Sequence, residues 1–284
     1  MTSKGLATLQ SFISDISSTY ISYIVVAKDR NVTNDYYDEI IELATSLQIP
    51  VYERSQAVPP ATHLIAVSWR WLIESSADQQ LIVFHDSLLP RYRGFAPLPS
   101  ALINGDRHVG VTALLASEEY DRGPIICQEA IEIEYPIKIS QAIELLVPCY
   151  KNLAIKVAHS IIQGDMTSSP QNEADATYSL WRDEEDYFID WTWDAHRIQR
   201  FVDSLGFPYK GAATTIDGET YRIRDCIALP DVKIENRCAG KVIFMRDDNP
   251  VVVCGTGVIK ILNINKDNSS KNELPLSKFR TRFT

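Results

Sequence analysis

The sequence predicts an α/β protein, in which a domain built on a mostly parallel sheet is followed by a small β-rich domain. Over the first 165 residues, short apolar segments of strand character alternate with amphipathic segments of helical period. This alternation is typical of a sheet that helices cover on both faces. From residue 212 onward, only short strand-like segments separated by turn residues occur. With 45% hydrophobic and 23% charged residues, the chain has the composition of a folded globular protein.

The elements of the first domain follow from periodicity and turn residues. The sequence opens on a helical pattern between Leu6 and Ile16, and residues 20–27 are β-branched and aromatic, which favours a strand. Asn34 can cap a second helix that begins near Tyr37. Rossmann-like domains usually open on a strand, so either the sheet lacks its first strand or the chain starts later than comparable domains. The further predicted elements are strands near residue 51 and at 63–68, 81–84, 109–115 and 125–133, a helix after Pro97, and a long helix from 140 to about 163.

The second part of the chain begins with a predicted linker. Residues 164–177 are rich in Ser, Asp and Asn, as connecting segments are. In the aromatic and acidic stretch that follows, Trp191 and Trp193 are expected to pack between the domains. A short amphipathic helix at 198–205 precedes the β-rich region. Its five predicted strands lie at 212–216, 220–229, 241–245, 251–254 and 258–264.

These elements predict two domains. The first domain covers residues 1–193, including the linker from about residue 165, and a small barrel-like domain covers residues 194–284. The last 20 residues are polar and basic, which predicts a loose tail. Exposed strand edges of the small domain could support a homodimer.

The charge distribution argues against a large nucleic-acid-binding surface. Lys and Arg number 28 against 37 Asp and Glu, a net charge of −9, whereas phosphate binding depends on clustered basic residues. Residues 195–284 hold 15 basic and 10 acidic side chains, but residues 266–284 contribute five of the basic and two of the acidic ones. The folded part of the second domain therefore has little excess positive charge, enough for one diphosphate. We expect no nucleic-acid partner.

Other sequence features exclude further classes. The five cysteines form no close pair and are expected to be free core thiols of a reducing cytoplasm. No signal peptide and no apolar segment of membrane-spanning length occurs. No spacing of cysteines or histidines indicates a metal site, and the glycine-rich nucleotide motifs are absent. The sequence predicts a cytoplasmic protein with no metal and no membrane partner.

The residues with the clearest chemical potential are His85 and Asp121. An apolar strand brings His85 to the carboxyl edge of the predicted sheet, where ligands bind in sheets of this kind. Histidine is the side chain best suited to exchange a proton near neutral pH. Asp121 follows a second strand 36 residues downstream, and an acid at the end of an adjacent strand can orient an imidazole ring. The sequence therefore predicts a catalytic pair.

A set of motifs around this pair resembles a known family. His85 is followed by Ser87-Leu88-Leu89-Pro90, Arg93-Gly94, Asn104-Gly105-Asp106, Gly110-Val111-Thr112, and Asp121 with Gly123. In this order and spacing, the motifs resemble the folate-dependent formyltransferase family. The segment Ser68-Trp69-Arg70-Trp71-Leu72-Ile73 is similar to the loop with which that family holds a pterin. Within the family, the aromatic and acidic stretch around Trp181 is most similar to nucleotide-sugar N-formyltransferases.

The resemblance implies an enzyme of surface polysaccharide biosynthesis. It would transfer a formyl group from the cosubstrate 10-formyltetrahydrofolate to the amine of a TDP- or UDP-linked amino-deoxy sugar. His85 would handle the proton and stabilise the oxyanion, and Asp121 would hold His85. Cosubstrate contacts are expected from Ser68, Trp69, Arg70, Trp71, Leu88, Glu119 and Tyr120. Contacts with the nucleotide-sugar are expected from Arg93, Phe95, Trp181 and Arg182, since arginines suit a pyrophosphate and aromatic rings can stack.

Val83 departs from the pattern of this family. The family carries an asparagine two residues before the histidine, and its amide donates to the oxyanion. Losing one such donor costs roughly 3 to 4 kcal/mol. Asn104 belongs to a predicted turn and is not an obvious substitute, whereas charged His85 or a backbone N–H could serve. The sequence leaves open which group compensates.

Two alternatives remain at this stage. A methionyl-tRNA formyltransferase would share the donor chemistry but needs an extended basic face. A non-catalytic relative would keep the folate or sugar pocket without turnover, and Val83 is the feature that supports it.

Overall fold

The structure, a computed structural model, describes residues 2–28, 35–74, 76 and 78–284. Its helices are α1 (Ser3–Asp15), α2 (Tyr37–Ser46), α3 (Pro97–Asn104), α4 (Ile139–Gln163) and α5 (Ala195–Ser204). Its strands are β1 (Ile24–Val26), β2 (Val51–Glu53), β3 (His63–Val67), β4 (Gln80–His85), β5 (Arg93–Gly94), β6 (His108–Leu115), β7 (Ile125–Glu132), β8 (Tyr178–Ser179), β9 (Ala212–Ile216), β10 (Glu219–Leu229), β11 (Val242–Arg246), β12 (Asn249–Val253) and β13 (Val258–Lys266).

The chain divides into two units. The first comprises residues 1–98, 108–133 and 143–180, and the second comprises residues 99–107, 134–142 and 181–284. The first unit contains a four-stranded sheet in the order β3-β4-β6-β7. Parallel pairing joins β1 to β2, β3 to β4 and β5 to β8, and antiparallel pairing joins β6 to both β4 and β7. The predicted α/β class with parallel strands is confirmed.

The amino-terminal elements agree with the sequence pattern except in the first strand. The hydroxyl of Thr2 accepts a hydrogen bond from the Gly5 N–H and caps α1. The strand predicted at 20–27 is limited to β1, because residues 18–20 form a single helical turn. Asn34, the predicted cap of the second helix, lies outside the described residues. That helix starts at Tyr37, after Tyr36, whose side chain makes no capping bond.

The second unit is built on an antiparallel sheet in the order β11-β12-β13-β10-β9, against which α5 packs. All five predicted strands are present, within two residues of their expected starts. The expectation of a loose carboxyl-terminal tail is wrong. The Phe283 N–H donates to the Gly240 carbonyl, and the Phe283 ring packs against Trp191 in the core. The buried Phe283 ring and the backbone hydrogen bonds of Phe283 and Thr284 hold the segment on the sheet.

The two tryptophans also lie elsewhere than predicted. Trp191 is buried in the core of the second unit, where its Nε1 donates to the hydroxyl of Thr214. Trp193 packs edge-on against Phe201 of α5. Both rings therefore contribute to the second unit, and the prediction that they pack between domains is corrected.

Candidate active site

His85 ends β4 at the edge of the sheet and is buried. β3 runs parallel to β4, with Val67 opposite Phe84. Ser68, the first residue after β3, therefore lies beside His85. The sheet thus brings the predicted cosubstrate loop and the predicted catalytic histidine to one edge.

Asp121 reaches His85 by a different route from the one predicted. β6 is antiparallel to β4, so the end of β6 at Leu115 lies opposite Ile82, well before the end of β4. Residues 116–124 then return toward His85. As a result, Oδ1 of Asp121 lies 3.5 Å from Nδ1 of His85, while its Oδ2 accepts a hydrogen bond of 2.8 Å from the Gly94 N–H. The predicted pair is brought together by the loop and not by a parallel strand end.

The other ring nitrogen of His85 also faces an acceptor. Nε2 lies 2.8 Å from the main-chain carbonyl oxygen of Tyr92. A neutral imidazole has one N–H, whereas the protonated ring has two. His85 is thus held between the Tyr92 carbonyl on one side and the Asp121 carboxylate on the other.

Two motif glycines allow the loops around His85 to approach other backbone segments closely. Gly94 has a φ of +97°, and a Cβ there would lie 2.6 Å from the Ser179 carbonyl oxygen. A Cβ on Gly123 would lie 1.7 Å from the Leu115 carbonyl oxygen. Tyr92 and Asp121 also adopt left-handed φ angles, of +59° and +56°. Non-glycine residues in this region cluster at functional sites.

The segment predicted as a linker, residues 164–177, forms hydrogen bonds with the loop that follows His85. The Tyr92 N–H donates to the Thr177 hydroxyl, and β5 pairs with β8. The Arg93 guanidinium, 0% exposed, donates from Nε and Nη2 to the Gln171 amide oxygen and from both terminal nitrogens to the Glu173 carboxylate. These bonds raise the pKa of Arg93, chiefly through Glu173. The expectation that Arg93 contacts a substrate is corrected, because its guanidinium is enclosed by this segment.

The same segment also holds the Asp121 loop. The side-chain amide of Gln171 donates to the carbonyls of Asp121 and Gly123, at 2.6 and 2.8 Å. Glu173 forms a second ion pair with Arg122. Sequence reasoning missed Gln171 and Glu173, because a polar, Ser- and Asn-rich segment has the composition of any exposed connection.

A second group that sequence reasoning missed lies directly beside His85. The Asp86 carboxylate accepts hydrogen bonds from Lys4 of α1 and from the Tyr150 hydroxyl of α4. Burial alone would raise the pKa of Asp86, but the Lys4 ammonium and the Tyr150 hydroxyl outweigh it, and the pKa is lowered. Burial, together with Asp86, raises the pKa of Tyr150 well above its ordinary value. The turn after His85 is therefore tied to two helices.

The predicted cosubstrate loop contains a buried polar group that has no hydrogen-bond partner among the described residues. This group is the indole N–H of Trp69. The Trp69 and Trp71 rings meet edge-on, with centroids 5.0 Å apart, and the Arg54 guanidinium lies over Trp71. Arg70 is exposed. A buried N–H without a partner beside aromatic rings suits a flat heterocycle that can stack on the rings and accept a hydrogen bond at its edge, as a pterin can.

The other predicted binding residues occupy distinct places. The side chain of Leu88 packs against Gly110, where a Cβ would lie 2.4 Å from Leu88 Cδ2. Glu119 is exposed and paired with Arg122. The exposed rings of Phe95 and Tyr120 lie 6.0 Å apart. These two rings form an exposed aromatic pair next to Gly94 and Asp121 in the chain.

Trp181 and Arg182 belong to the second unit. The Trp181 ring is exposed, and the Arg182 Nη1 donates to the Asp186 carbonyl, while its Nε is buried without a partner among the described residues. Val83 lies two residues before His85 on β4 and therefore shares its face of the sheet, where it offers no donor. Asn104, the last residue of α3, is exposed.

Across residues 2–28, 35–74, 76 and 78–284, no three His, Cys, Asp or Glu side chains form a group suited to a metal ion. In the same part of the chain, every helix is too short or too polar to serve as a membrane span.

Comparison with known proteins gives a consistent assignment along the chain. Residues 71–142 match the family model "Formyl transferase", and residues 182–282 match "Formyl transferase, C-terminal domain". The methionyl-tRNA formyltransferase of Syntrophomonas wolfei is 31% identical over 262 residues, which are 90% of this chain and 81% of that protein. The methionyl-tRNA formyltransferase of Roseiflexus sp. is 29% identical over 69% of this chain, and the match spans only 59% of that protein's length.

A solved structure shares the fold. It is the N-formyltransferase from Helicobacter canadensis in complex with folinic acid and dTDP-3-aminofucose, with a TM-score of 0.67 and 14% identity. The match covers 91% of this chain and 96% of the other. At this level of identity, the likeness concerns the fold.

Proposed function

Since the chain belongs to the folate-dependent formyltransferase family, we propose that it transfers the formyl group of 10-formyltetrahydrofolate to the amine of a nucleotide-linked amino-deoxy sugar. The observation that carries this proposal is the buried pair of His85 and Asp121, whose Nδ1 and Oδ1 lie 3.5 Å apart. The parallel pairing of β3 with β4 puts the Ser68–Trp71 segment at the same edge of the sheet.

The cosubstrate supplies an electrophilic formyl carbon, and negative charge develops on the formyl oxygen when the amine attacks. Preorganised N–H donors aimed at that oxygen are usually the largest contribution to catalysis of this kind. His85 is the donor that we assign, because it is fixed between the Asp121 carboxylate and the Tyr92 carbonyl at the edge of the sheet. To act on the oxygen, Nε2–H is shared with the Tyr92 carbonyl. The imidazole of His85 accepts the proton that the attacking amine loses, and that proton passes to N10 of the folate as the bond between N10 and the formyl carbon breaks, so the products are the formamide and tetrahydrofolate.

Asp121 is proposed to orient His85, and the segment containing Gln171 to hold Asp121. Val83 contributes no hydrogen bond, so a single side chain carries the donor role that the family divides between asparagine and histidine. Ser68, Trp69, Arg70, Trp71, Leu88, Glu119 and Tyr120 are proposed to bind the cosubstrate. For the sugar nucleotide we retain Phe95, Trp181 and Arg182.

Ion pairs offset part of the positive charge of the second unit, which favours a small acceptor. Arg222 is bound to Glu184 and Asp267, and seven of the other basic side chains of that unit also have a carboxylate partner. A nucleic-acid backbone requires several unpaired cations along one face. The ion pairs of the second unit are Lys138–Asp225, Lys210–Glu184, Lys233–Glu235, Arg237–Asp231, Lys260–Asp247, Lys266–Glu219 and Lys278–Asp217.

A second candidate function is formylation of methionyl-tRNA. The observation that favours it is the 31% identity to the Syntrophomonas wolfei enzyme over most of both chains. The correction of the tail adds to it, because the basic residues beyond 266 belong to the folded unit. The two candidates share the donor and differ only in the acceptor.

Incubation of the purified protein with 10-formyltetrahydrofolate and a panel of TDP- and UDP-amino-deoxy sugars tests the proposal. We expect a formamide product from one of these sugars, detected by chromatography and mass spectrometry, and no product from the His85→Asn variant. Charged initiator tRNA is assayed in parallel. Formylation of the tRNA alone would establish the second candidate, and an absence of product with every acceptor would refute both.

A further inference from the structure

The second unit contains a shallow, open cavity that the proposed function does not use. It has a volume of about 560 Å³ and is lined by Arg224 of β10, Asn263 and Asn265 of β13, and Asn268, Ser269 and Ser270 of the following loop. Because the cavity is open to solvent, a ligand there would be recognised by these polar side chains rather than by enclosure.

Arg224 lies at an irregular part of the β10–β13 ladder. Ile223 pairs with Ile264 and Cys226 pairs with Ile261 in one register, and the pairing of Asp225 with Asn263 between them departs from it by one residue. Arg224 and Asn263, which both line the cavity, belong to this irregular part.

Arg224 is a partly buried cation without an anionic partner. Its Nη1 donates to the Lys210 carbonyl at 2.6 Å, and no carboxylate of the described residues forms an ion pair with it. The nearby Asp267 carboxylate is engaged at 2.8 Å by Nε of Arg222. Burial, and then repulsion from Arg222, lowers the pKa of Arg224, while attraction from Asp267 acts in the opposite direction. A partly buried guanidinium that forms no ion pair of its own can bind an anionic ligand group.

The two amides on β13 are also incompletely bonded. Asn265 is 4% exposed, and the Oδ1 atoms of Asn263 and Asn265 are buried without a partner among the described residues. Exchanging amide oxygen and nitrogen would leave a buried polar atom at the same position. Hydroxyl groups both donate and accept hydrogen bonds, so they satisfy such amides in either orientation.

We propose that this cavity binds a small sugar phosphate, with the phosphate on Arg224 and sugar hydroxyls on Asn263 and Asn265. A single unpaired cation suits one phosphate group, whereas a nucleic-acid backbone needs a series of cations. The lining contains no aromatic ring, which disfavours recognition of a free base by stacking. The inference does not depend on the proposed function, since none of the six lining residues is assigned to catalysis, the cosubstrate or the sugar nucleotide.

The test is calorimetric titration of the full chain with ribose 5-phosphate, ribose and inorganic phosphate as separate probes. We expect ribose 5-phosphate to bind at least tenfold more tightly than either component. Arg224→Met and Asn265→Ala should each weaken binding at least tenfold. Asn236→Ala, an exposed asparagine outside the cavity, is the matched control and should leave binding unchanged.

Several outcomes would overturn the proposal. Inorganic phosphate that binds as tightly as ribose 5-phosphate would leave an anion site only. If ribose 5-phosphate still binds to Arg224→Met and Asn265→Ala, its binding site lies elsewhere, for example at His85. If an RNA hairpin binds more tightly than ribose 5-phosphate, and Arg224→Met abolishes that binding, the ligand of this site is a nucleic acid and not a small sugar phosphate. Melting curves without ligand confirm that each variant is folded.

Discussion

The side-chain amide of Gln171 donates to the main-chain carbonyl of Asp121 at 2.6 Å, and thereby holds in place the residue that faces His85. Its amide oxygen accepts from the buried guanidinium of Arg93. One side chain thus joins the loop after His85 to the loop that carries Asp121.

Gln171→Leu is therefore expected to lower kcat about a hundredfold, because small displacements of catalytic groups have effects of this size. The KM for 10-formyltetrahydrofolate should change much less, since Gln171 does not contact the predicted cosubstrate loop. The measurement is steady-state kinetics with the acceptor that the panel identifies. Gln163→Leu, at the exposed end of α4, is the control. Unchanged kcat in Gln171→Leu would show that the loop is positioned without this bond.

The sequence predicts the two loops of the site but not the segment that joins them. His85, Gly94, Asp121 and Gly123 stand in a spacing that identifies them without coordinates. Gln171 makes its contacts 48 and 50 residues away in the chain, and its neighbours in sequence are polar, as in any linker. Local composition contains no information about such contacts. The prediction that Arg93 binds a substrate is wrong for the same reason, because the sequence around an arginine does not show whether its partner is a substrate or a carboxylate such as Glu173.

Replacement of either member of the pair should remove most of the activity. His85→Asn eliminates proton exchange near neutral pH, and Asp121→Asn removes the carboxylate that faces Nδ1 of His85. Each is expected to lower turnover at least about a hundredfold, the usual contribution of a proton-transfer group. His108→Asn changes an exposed histidine at the start of β6 and should have no effect. Near-normal rates in both site variants would rule out the proposed roles.

Val83→Asn tests whether the missing donor limits the reaction. Residue 83 shares the face of β4 that carries His85, so an amide there can add a hydrogen bond to the developing oxyanion. One such donor is worth about a hundredfold or more in kcat when it is well placed. We expect faster turnover than in the wild type and no gain in Val83→Leu, which adds volume without a donor. Activity in Val83→Asn but not in the wild type would instead support the non-catalytic alternative. Slower turnover in Val83→Asn than in the wild type would mean that the oxyanion gains nothing from a second side-chain donor beside His85.

Asp203 makes stability depend on pH. It lies in α5, is 5% exposed, and burial raises its pKa to about 7 from an ordinary 3.8. The folded state therefore holds a proton that the unfolded chain releases near pH 4, and stability falls as the pH rises from about 4 to 7. The full penalty above pH 7 is roughly 4 kcal/mol.

Asp203→Asn, which cannot ionise, should match the wild type near pH 4 and become progressively more stable than it up to pH 7. Urea unfolding at a series of pH values measures the difference. Asp248→Asn, at an exposed turn, should run parallel to the wild type. A constant difference between Asp203→Asn and the wild type at all pH values would contradict the buried titration.

The final prediction concerns the carboxyl-terminal segment, which composition alone assigns to a loose tail. Phe283 is 1% exposed and packs on Trp191, and backbone hydrogen bonds join Gly240 to Phe283 and Thr215 to Thr284. A single large side chain contributes little to the average composition of 20 residues, yet its burial decides where the segment lies. Truncating a buried phenylalanine usually costs about 3 to 5 kcal/mol, because it removes burial and leaves a cavity.

Phe283→Ala is therefore expected to lower the free energy of unfolding by about 3 kcal/mol or more, measured by urea denaturation. Phe279→Ala provides the matched control four residues earlier, since that ring is 53% exposed and should cost little. The two variants remove the same atoms from the same segment, so only burial separates them. Equal, small losses of stability in both variants would contradict this prediction. They would mean that the last residues are loose, as their composition suggests, and that another group covers Trp191.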